Sequence, residues 1–246
     1  LTRKAFLNLC HPFQPFIIGQ RLIGPKIASM YNIKLIFYGE NQAEYGNNIK
    51  ENDNPEMSTE FISKEKKDEI IIGKEPLDKI IKDNNFHEKS AEPYTPVSKE
   101  ELISKEIKVH YLSYYTKWDP QENYYYAVDN CGFEANDQRT EGTFSRYTSF
   151  DDKIDPLHYY TTLIKFGIGR ATYDVAYEIR TKKLDINEGR MLIKKYEEEF
   201  PSRFFKEILE YLNISEKTFV ETIDNFRSPH LWKYENNKWI LRHKSY

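Results

Sequence analysis

Acidic and amide side chains follow a short apolar segment in the first fifth of the chain. Residues 34–38 favour a buried strand of a parallel sheet that stops at Gly39, and Glu40, Asn41 and Glu44 come directly afterwards. Ligands of open α/β sheets bind at the carboxyl ends of the strands, so we expect these groups to line a cleft. The segment predicts a ligand or metal site, and a plain turn after a strand is the alternative.

A second polar segment, residues 129–147, has the composition of a binding loop. It lacks helical periodicity, and its glycines and aromatic residues argue against disorder. Alternate residues from Arg139 to Tyr147 are polar, so an extended backbone would place them on one face. Long loops of this kind are often functional, and we expect this one to bring Arg139 and Glu141 towards Glu40. A surface loop without a function is the alternative.

Two cations, Lys165 and Arg170, flank the helix-breaking residues Gly167-Ile-Gly169. Free backbone amides are expected where the next helix starts, and such amides bind anions. Arginine adds a planar fork and lysine a point charge, so the segment suits a phosphate or a pyrophosphate. The spacing matches neither a Walker loop nor a dinucleotide fingerprint, and a helix kink with surface cations is the alternative.

Asp151 and Asp152 precede a predicted helix and are candidate magnesium ligands. Mg²⁺ needs only one or two carboxylates when the oxygens of a bound phosphate complete its shell. The alternative is that these acids, with Asp155, match the dipole of the helix start. His158 lies one turn inside the same helix, where a lone histidine is more often structural than catalytic.

The composition excludes several classes of protein. The net charge of −3 argues against a protein that coats nucleic acid. Two cysteines, Cys10 and Cys131, cannot form a zinc site of the usual spacing or a disulfide framework, which favours a reducing cytoplasm. No apolar run approaches the length of a membrane span, and we expect neither a membrane span nor a signal peptide.

The order of apolar patterns predicts an α/β part followed by a helical part. The expected N-terminal elements are a helix end within residues 1–9, a rigid loop at residues 11–16, a short helix at residues 24–30, the strand at residues 34–38, and a strand at residues 108–115. The expected C-terminal elements are helices at residues 155–166 and 170–183, a helix capped by Asp185 and Glu188, two further helices (the last capped by Ser215), and a short strand at Trp239 and Ile240. We expect domain segments 1–46, 47–108, 109–155 and 156–246, the second of them an insertion.

Segments along nearly the whole chain resemble the N-acetyl sugar amidotransferases. The matching segments are His11-Pro-Phe-Gln-Pro-Phe16, Tyr38-Gly-Glu-Asn41, Ala43-Glu-Tyr-Gly46, His110-Tyr-Leu112, Lys117-Trp-Asp-Pro-Gln-Glu-Asn123, Arg139-Thr-Glu-Gly-Thr143, Asp151-Asp-Lys-Ile-Asp155, His158-Tyr-Tyr-Thr161, Lys165-Phe-Gly-Ile-Gly-Arg-Ala-Thr-Tyr-Asp174 and Ser228-Pro-His-Leu-Trp232. The family includes flagellin-modification enzymes of pseudaminic acid biosynthesis and enzymes of lipopolysaccharide O-antigen synthesis.

The resemblance implies a fold and a reaction. The fold is a partial Rossmann-like sheet of the N-type ATP pyrophosphatases (adenine nucleotide alpha hydrolases), with an α-helical C-terminal region. The reaction turns the acetamido group of a pseudaminic, legionaminic or O-antigen precursor sugar, free or nucleotide-linked, into an acetamidino group. ATP adenylates the amide oxygen, ammonia from a partner glutaminase displaces AMP, and pyrophosphate leaves. ATP and Mg²⁺ are the implied cofactors, without nucleic-acid or membrane partners.

The resemblance also assigns roles to residues. The implied catalytic residues are Lys165, Arg170 and Glu40; the implied substrate-binding residues are Arg139, Glu141, Asn41, Glu44, Tyr45, His11 and Gln14; the implied metal ligands are Asp151 and Asp152. The family's Ser-Gly-Gly-x-Asp-Ser phosphate loop and its cysteine cluster, which could bind zinc, are not in this sequence. We expect both to precede Leu1, so that the chain is the C-terminal part of a longer enzyme and inactive alone.

Two other functions fit the same sequence. One is a non-catalytic domain whose helices dock a partner, and it is favoured by the missing phosphate loop. The other is a tRNA-modifying ATP pyrophosphatase of the same superfamily, against which the net charge of −3 argues.

Overall fold

A computed structural model describes residues 1–39, 54–63, 69–149 and 151–246. The chain divides into two compact units, the first made of Leu1 and Gln14–Asn123 and the second of Thr2–Phe13 and Tyr124–Tyr246. The described residues are mixed α/β and mostly helical, and their strands form two-stranded sheets. The α/β class is therefore confirmed, and the Rossmann-like sheet stays a prediction.

The first unit combines short strands with helices. Its elements are α2 (Gln14–Tyr31), β1 (Leu35–Tyr38), α3 (Thr59–Ile62), β2 (Ile71–Ile72), β3 (Glu75–Pro76), α4 (Leu77–Asp83), a 3₁₀ helix (Glu88–Tyr94), α5 (Lys99–Ser104), β4 (Lys108–Tyr111), a 3₁₀ turn (Leu112–Tyr114) and the start of α6 (Pro120–Cys131). The two predicted strands are both present, although the second ends at Tyr111.

Strands β1 and β4 pair in parallel, with Ile36 opposite Val109. The predicted parallel pairing is confirmed, and the prediction that β1 is buried is wrong. Leu35 and Phe37 are 47% and 50% exposed, because the described residues cover only the face that carries Ile36. Alternation of this kind is typical of a sheet with one solvated face.

Helix α2 differs from the sequence prediction in its length. The predicted rigid loop is shorter, since the helix begins at Gln14 and holds Pro15 in its first turn, where the missing amide hydrogen costs nothing. The predicted separate helix that starts at Gly24 is also wrong, because Pro25 lies inside one continuous helix. Leu22 and Ala28 are buried on either side of Pro25, so tertiary packing outweighs the backbone hydrogen bond that proline removes.

The second unit is helical apart from one hairpin. Its elements are α1 (Thr2–Leu9), the end of α6, α7 (Asp155–Phe166), α8 (Arg170–Arg180), α9 (Ile186–Tyr196), α10 (Phe205–Leu212), α11 (Glu216–Asn225), β5 (Trp232–Glu235) and β6 (Lys238–Leu241). The predicted helices and their caps are confirmed, including the capping box of Asp185 and Glu188 and the Ser215 cap. None of the described helices has both the length and the apolar character needed to cross a bilayer.

One apolar core holds the second unit together and fixes the position of its N-terminal segment. Phe6 of α1 is fully buried and stacks on Phe219 of α11, with ring centroids 5.4 Å apart. Leu157 and Leu163 bring α7 into the same core, and the Trp232 indole donates to the carbonyl of Ile164 at 2.8 Å. Because α1 is anchored in this way, the residues that follow it are held against α7.

Candidate functional site

Four basic side chains of the second unit influence one another electrostatically, and we call them the basic cluster: His11, His158, Lys165 and Arg170. His11 follows α1, His158 and Lys165 belong to α7, and Arg170 is the first residue of α8. The chain turns between the two helices at Gly167, whose φ of 72° is in the left-handed region that favours glycine. This turn lies between the helix that carries Lys165 and the helix that begins with Arg170.

The imidazole of His158 stacks on two rings of the N-terminal segment. Its centroid is 5.2 Å from that of His11 and 4.9 Å from that of Phe13. The Nδ1 atom of His158 is buried and has no hydrogen-bond partner among the described residues. Buried polar atoms are normally paired, and in the tautomer that carries its proton on Nδ1 this nitrogen would donate to an acceptor oxygen of a ligand.

Burial and neighbouring charge keep both imidazoles neutral. Burial, followed by the charge of Lys165, lowers the pKa of His11 to about 4. The pKa of His158 falls to about 3, because of burial and then of His11, Arg170 and Lys165. Both cations therefore act on the same imidazole, and an anion placed there would relieve their repulsion.

Arg170 is held by contacts on two sides. Its Nε donates to Oδ1 of Asp174 at 2.7 Å, and its guanidinium lies 5.1 Å from the ring centre of Tyr159. The other oxygen of Asp174 accepts a hydrogen bond from the Thr143 hydroxyl at 2.5 Å. The guanidinium is thus oriented by a carboxylate that is itself held by another side chain.

A second titratable group, Asp155, lies beside the basic cluster. Its Oδ2 accepts from the Ser149 hydroxyl at 2.6 Å, and the Ser149 and Tyr159 hydroxyl oxygens are 2.5 Å apart. Burial raises the pKa of Asp155 to about 6. The hydrogen bond from Ser149 lowers this pKa, and the charges of Asp152 and Asp151 raise it. Burial likewise raises the pKa of Tyr159 to about 12.

Two backbone amides at the start of α8, those of Gly169 and Thr172, are not free, so the sequence prediction of free amides is wrong for these two. The carboxylate of Glu197 accepts from the amides of Gly169 and Thr172 at 2.6 and 2.9 Å, and from the Thr172 hydroxyl at 2.6 Å. Glu197 is only 4% exposed. The anion that the helix start attracts is therefore the protein's own carboxylate, which leaves side chains to bind any phosphate.

Arg139 and Glu141 make contacts within the second unit. The Arg139 guanidinium forms a two-point pair with Glu199 at 2.6 and 2.5 Å, and it lies 4.2 Å from the Tyr196 ring centre. The Glu199 pair raises the pKa of Arg139. Glu141 accepts from the amide and hydroxyl of Ser202 at 3.1 and 2.6 Å. The loop carrying both residues is therefore fastened to the chain that follows α9.

The other predicted site residues lie in separate places. Glu40, Asn41, Glu44 and Tyr45 lie outside the described residues, so their approach to the 129–147 loop stays a prediction. Gln14 belongs to the first unit, where its Oε1 accepts from the amide of Gly73 at 2.8 Å.

The predicted metal ligands Asp151 and Asp152 are exposed. Asp152 Oδ1 accepts from the amide of Ile154 at 2.6 Å, a local turn contact at the start of α7. The described part of the chain contains no group of three or more His, Cys, Asp or Glu side chains that could hold a metal ion. Magnesium would therefore need phosphate oxygens as further ligands here.

Sequence reasoning gave no functional role to His158, Asp155, Asp174 or Glu197. Each is recognised only from its surroundings in the structure. His158 stacks on other rings, Asp155 is buried, Asp174 pairs with an arginine, and Glu197 caps a helix. Of these residues, Asp174 could have been found from its spacing in the sequence. It lies four residues after Arg170, and side chains at this spacing in a helix are neighbours.

One family model matches the C-terminal part of the chain. Residues 141–245 are similar to the C-terminal domain of WbpG-like lipopolysaccharide biosynthesis proteins. The matched part contains His158, Lys165, Arg170 and Asp174, and it excludes His11. No curated protein matches the chain. The comparison supports a family of lipopolysaccharide or sugar biosynthesis proteins.

Proposed function

We propose that the chain is part of an ATP-dependent amidotransferase that acts on an N-acetylated sugar of bacterial surface-polysaccharide biosynthesis. Three features support the proposal: the motifs resembling the N-acetyl sugar amidotransferases, the match of residues 141–245 to a lipopolysaccharide biosynthesis family, and the basic cluster. The sugar is a pseudaminic, legionaminic or O-antigen precursor, either free or nucleotide-linked.

The proposed reaction exchanges the carbonyl oxygen of an acetamido group for nitrogen. The reactants are the acetamido sugar, ammonia and ATP; the products are the acetamidino sugar, AMP and pyrophosphate. The oxygen that leaves the sugar ends on the phosphate of AMP. A partner glutaminase supplies the ammonia, and Mg²⁺ accompanies the phosphates, with Asp151 and Asp152 as its proposed protein ligands.

The observation that carries the proposal is the buried Nδ1 of His158, which has no hydrogen-bond partner among the described residues and lies within the influence of the charges of Lys165 and Arg170. Two cations beside an unpaired ring nitrogen fit a polyphosphate better than a neutral ligand. We assign Lys165 and Arg170 to the pyrophosphate, and the His158 imidazole to the same anion as a neutral partner. Contacts that strengthen as pyrophosphate leaves would raise turnover rather than ATP affinity.

Of the remaining predicted residues, most belong to the sugar site in this proposal, and His11 belongs with His158 at the pyrophosphate. We assign Glu40 to the reacting group, and Asn41, Glu44 and Tyr45 to the hydroxyl groups of the sugar. His11 contributes through its stack on His158. Arg139 and Glu141 already hold other groups of the protein, so we assign them to shaping the site.

The test measures AMP release by the full-length enzyme, with an N-acetylated sugar as substrate and ammonium as nitrogen donor. Lys165→Ala and Arg170→Ala should each slow AMP release at least about tenfold, the factor that corresponds to 1.4 kcal/mol of transition-state stabilisation. Lys153→Ala and Arg203→Ala are matched controls, since both remove an exposed cation of the same unit. Near-normal rates in the Lys165 and Arg170 variants, with the fold intact, would contradict the proposal.

A further inference from the structure

A continuous series of contacts joins Arg170 to the Arg139-Thr-Glu-Gly-Thr143 segment. Arg170 Nε donates to Asp174 Oδ1 at 2.7 Å, and Asp174 Oδ2 accepts from the Thr143 hydroxyl at 2.5 Å. Thr143 is fully buried, and its carbonyl accepts from Arg139 Nη1 at 3.1 Å. The position of Arg170 is therefore set by side chains that belong to a distant part of the sequence.

The position of Arg170 in its helix is unfavourable for helix stability. It is the first residue of α8, and a cation at a helix N-terminus opposes the helix dipole. In the pair with Asp174 the cation precedes the acid by four residues, which is the weaker of the two orientations. Helix stability thus does not account for this arginine, whose side chain contacts Asp174 and Tyr159.

Asp174 fixes the direction in which the guanidinium points. A guanidinium has five donors in a rigid plane, so a hydrogen bond at Nε determines the direction of the two Nη groups. Asp174 is in turn fixed by Thr143, because a carboxylate with both oxygens engaged has little freedom to rotate. A guanidinium held in advance loses less conformational freedom when it binds an anion.

We propose that Thr143 and Asp174 are positioning residues that orient Arg170 towards pyrophosphate. The inference rests on the proposed function, because it takes Arg170 as a ligand of that anion. In this proposal the Arg139-Thr-Glu-Gly-Thr143 segment orients Arg170 and does not contact the substrate directly. Arg139 and Glu199 hold the segment in place, and Thr143 transmits its position to Asp174 and Arg170.

The test uses variants that leave the charge of the site unchanged. Asp174→Asn is unsuitable, because the loss of a negative charge beside Arg170 would favour anion binding while the loss of orientation would oppose it. Asp174→Glu keeps the charge and displaces the carboxylate by one methylene. Thr143→Val keeps the shape and removes the hydroxyl, and Thr143→Ser restores the hydroxyl.

The measurement is the Kd of inorganic pyrophosphate for the full 246-residue chain, obtained by titration calorimetry. Loss of the hydrogen bonds that orient Arg170 should raise this Kd about fivefold in Asp174→Glu and about threefold in Thr143→Val. Thr143→Ser should bind like the unchanged protein. Added to Arg170→Ala, neither substitution should weaken binding further, since residues that act through Arg170 cannot act without it.

Two matched controls lie in α11 of the same unit. Thr222→Val removes a buried hydroxyl that donates to the carbonyl of Thr218 at 2.7 Å. Asp224→Glu displaces the carboxylate that accepts from Arg227 Nε at 3.1 Å. Both should bind pyrophosphate like the unchanged protein, and any effect they have should persist in the Arg170→Ala background.

The outcomes separate the two proposals. If Arg170→Ala weakens binding but Thr143→Val and Asp174→Glu do not, the positioning role is wrong and the anion site stands. If the two variants weaken binding equally with and without Arg170, their role is structural and the inference is overturned. If Arg170→Ala binds pyrophosphate normally, the anion site itself is wrong, and the positioning role with it.

Discussion

The carboxylate of Glu197 accepts a hydrogen bond from the backbone amide of Gly169 at 2.6 Å, within the second unit. The same carboxylate accepts from the amide and the hydroxyl of Thr172, and it is almost completely buried. Glu197 follows the last residue of α9 and caps the start of α8. The Glu197 carboxylate approaches the backbone of Gly169 closely. A Cβ added at Gly169 would lie 3.2 Å from the carboxyl carbon of Glu197, so a glycine suits this position.

Glu197→Ala should destabilise the protein by about 3 kcal/mol, because it leaves buried donors at the start of α8 without an acceptor. Urea unfolding measures the change. The adjacent Glu198→Ala is the control, since Glu198 forms an exposed pair with Lys244 and should contribute less than about 1 kcal/mol. Equal effects of the two substitutions would contradict the capping role of Glu197.

Gly189→Ala should destabilise the protein although alanine is the better helix former. Gly189 lies in α9, and an added Cβ would lie 2.6 Å from Val175 Cγ1 and 3.0 Å from Ile179 Cδ1. Overpacking of this kind costs about 2 kcal/mol, more than the gain of about 1 kcal/mol in helix propensity. Thermal or urea unfolding measures the difference.

Gly19→Ala is the matched control for Gly189→Ala. Gly19 also lies inside a helix, but an added Cβ there would meet its nearest neighbour, Tyr94, at an ordinary 3.5 Å. This substitution should stabilise the protein by up to about 1 kcal/mol. A stabilising effect of Gly189→Ala would contradict close packing of α8 against α9 at this position.

His158→Phe should reduce the loss of stability on acidification. Burial, His11, Arg170 and Lys165 hold the pKa of His158 at about 3 in the folded protein, against an ordinary 6.5. The unfolded chain therefore binds the proton first, and stability falls as the pH drops from about 6.5 towards 3, at up to about 1.4 kcal/mol per pH unit. Phenylalanine keeps the ring and removes the titration.

Urea unfolding of the two proteins at about pH 7 and about pH 5 measures this difference. The comparison cancels the contribution of every other titrating group that the substitution leaves unchanged. If both proteins lose the same stability over this interval, the imidazole of His158 is not held neutral by its surroundings.

Asp155→Asn should change the pH dependence of stability in the opposite direction to His158→Phe. The folded pKa of Asp155 is raised from 3.8 to about 6, so its ionisation costs stability as the pH rises through about 6. Relative to the unchanged protein, the variant should gain about 2 kcal/mol between about pH 4 and about pH 7. Asparagine retains an acceptor for the Ser149 hydroxyl. A pH-independent difference in urea unfolding would contradict a buried, proton-binding Asp155.

The sequence by itself determined the helices of the second unit from residue 155 onwards, whereas α6, which includes residues 129–131 of the predicted loop, was not predicted. The helix at residues 155–166, its end at Gly167, the capping box at Asp185 and the cap at Ser215 were all predicted and are confirmed. These features depend on residues within a few positions of one another, so local chemistry suffices to define them. Strand β4 was predicted for the same reason, whereas its identity as the parallel partner of β1 was not.

Only the tertiary structure decided what the polar residues contact. Pro25 lies inside a helix because buried neighbours on both sides outweigh its local preference, and Phe37 is exposed because the described residues cover one face of β1. The amides of Gly169 and Thr172 donate to Glu197, a residue far from them in sequence. The low pKa of His158 likewise depends on its burial and then on His11, which the packing of α1 holds against it. Such pairings arise from packing between distant segments, and no local pattern encodes them.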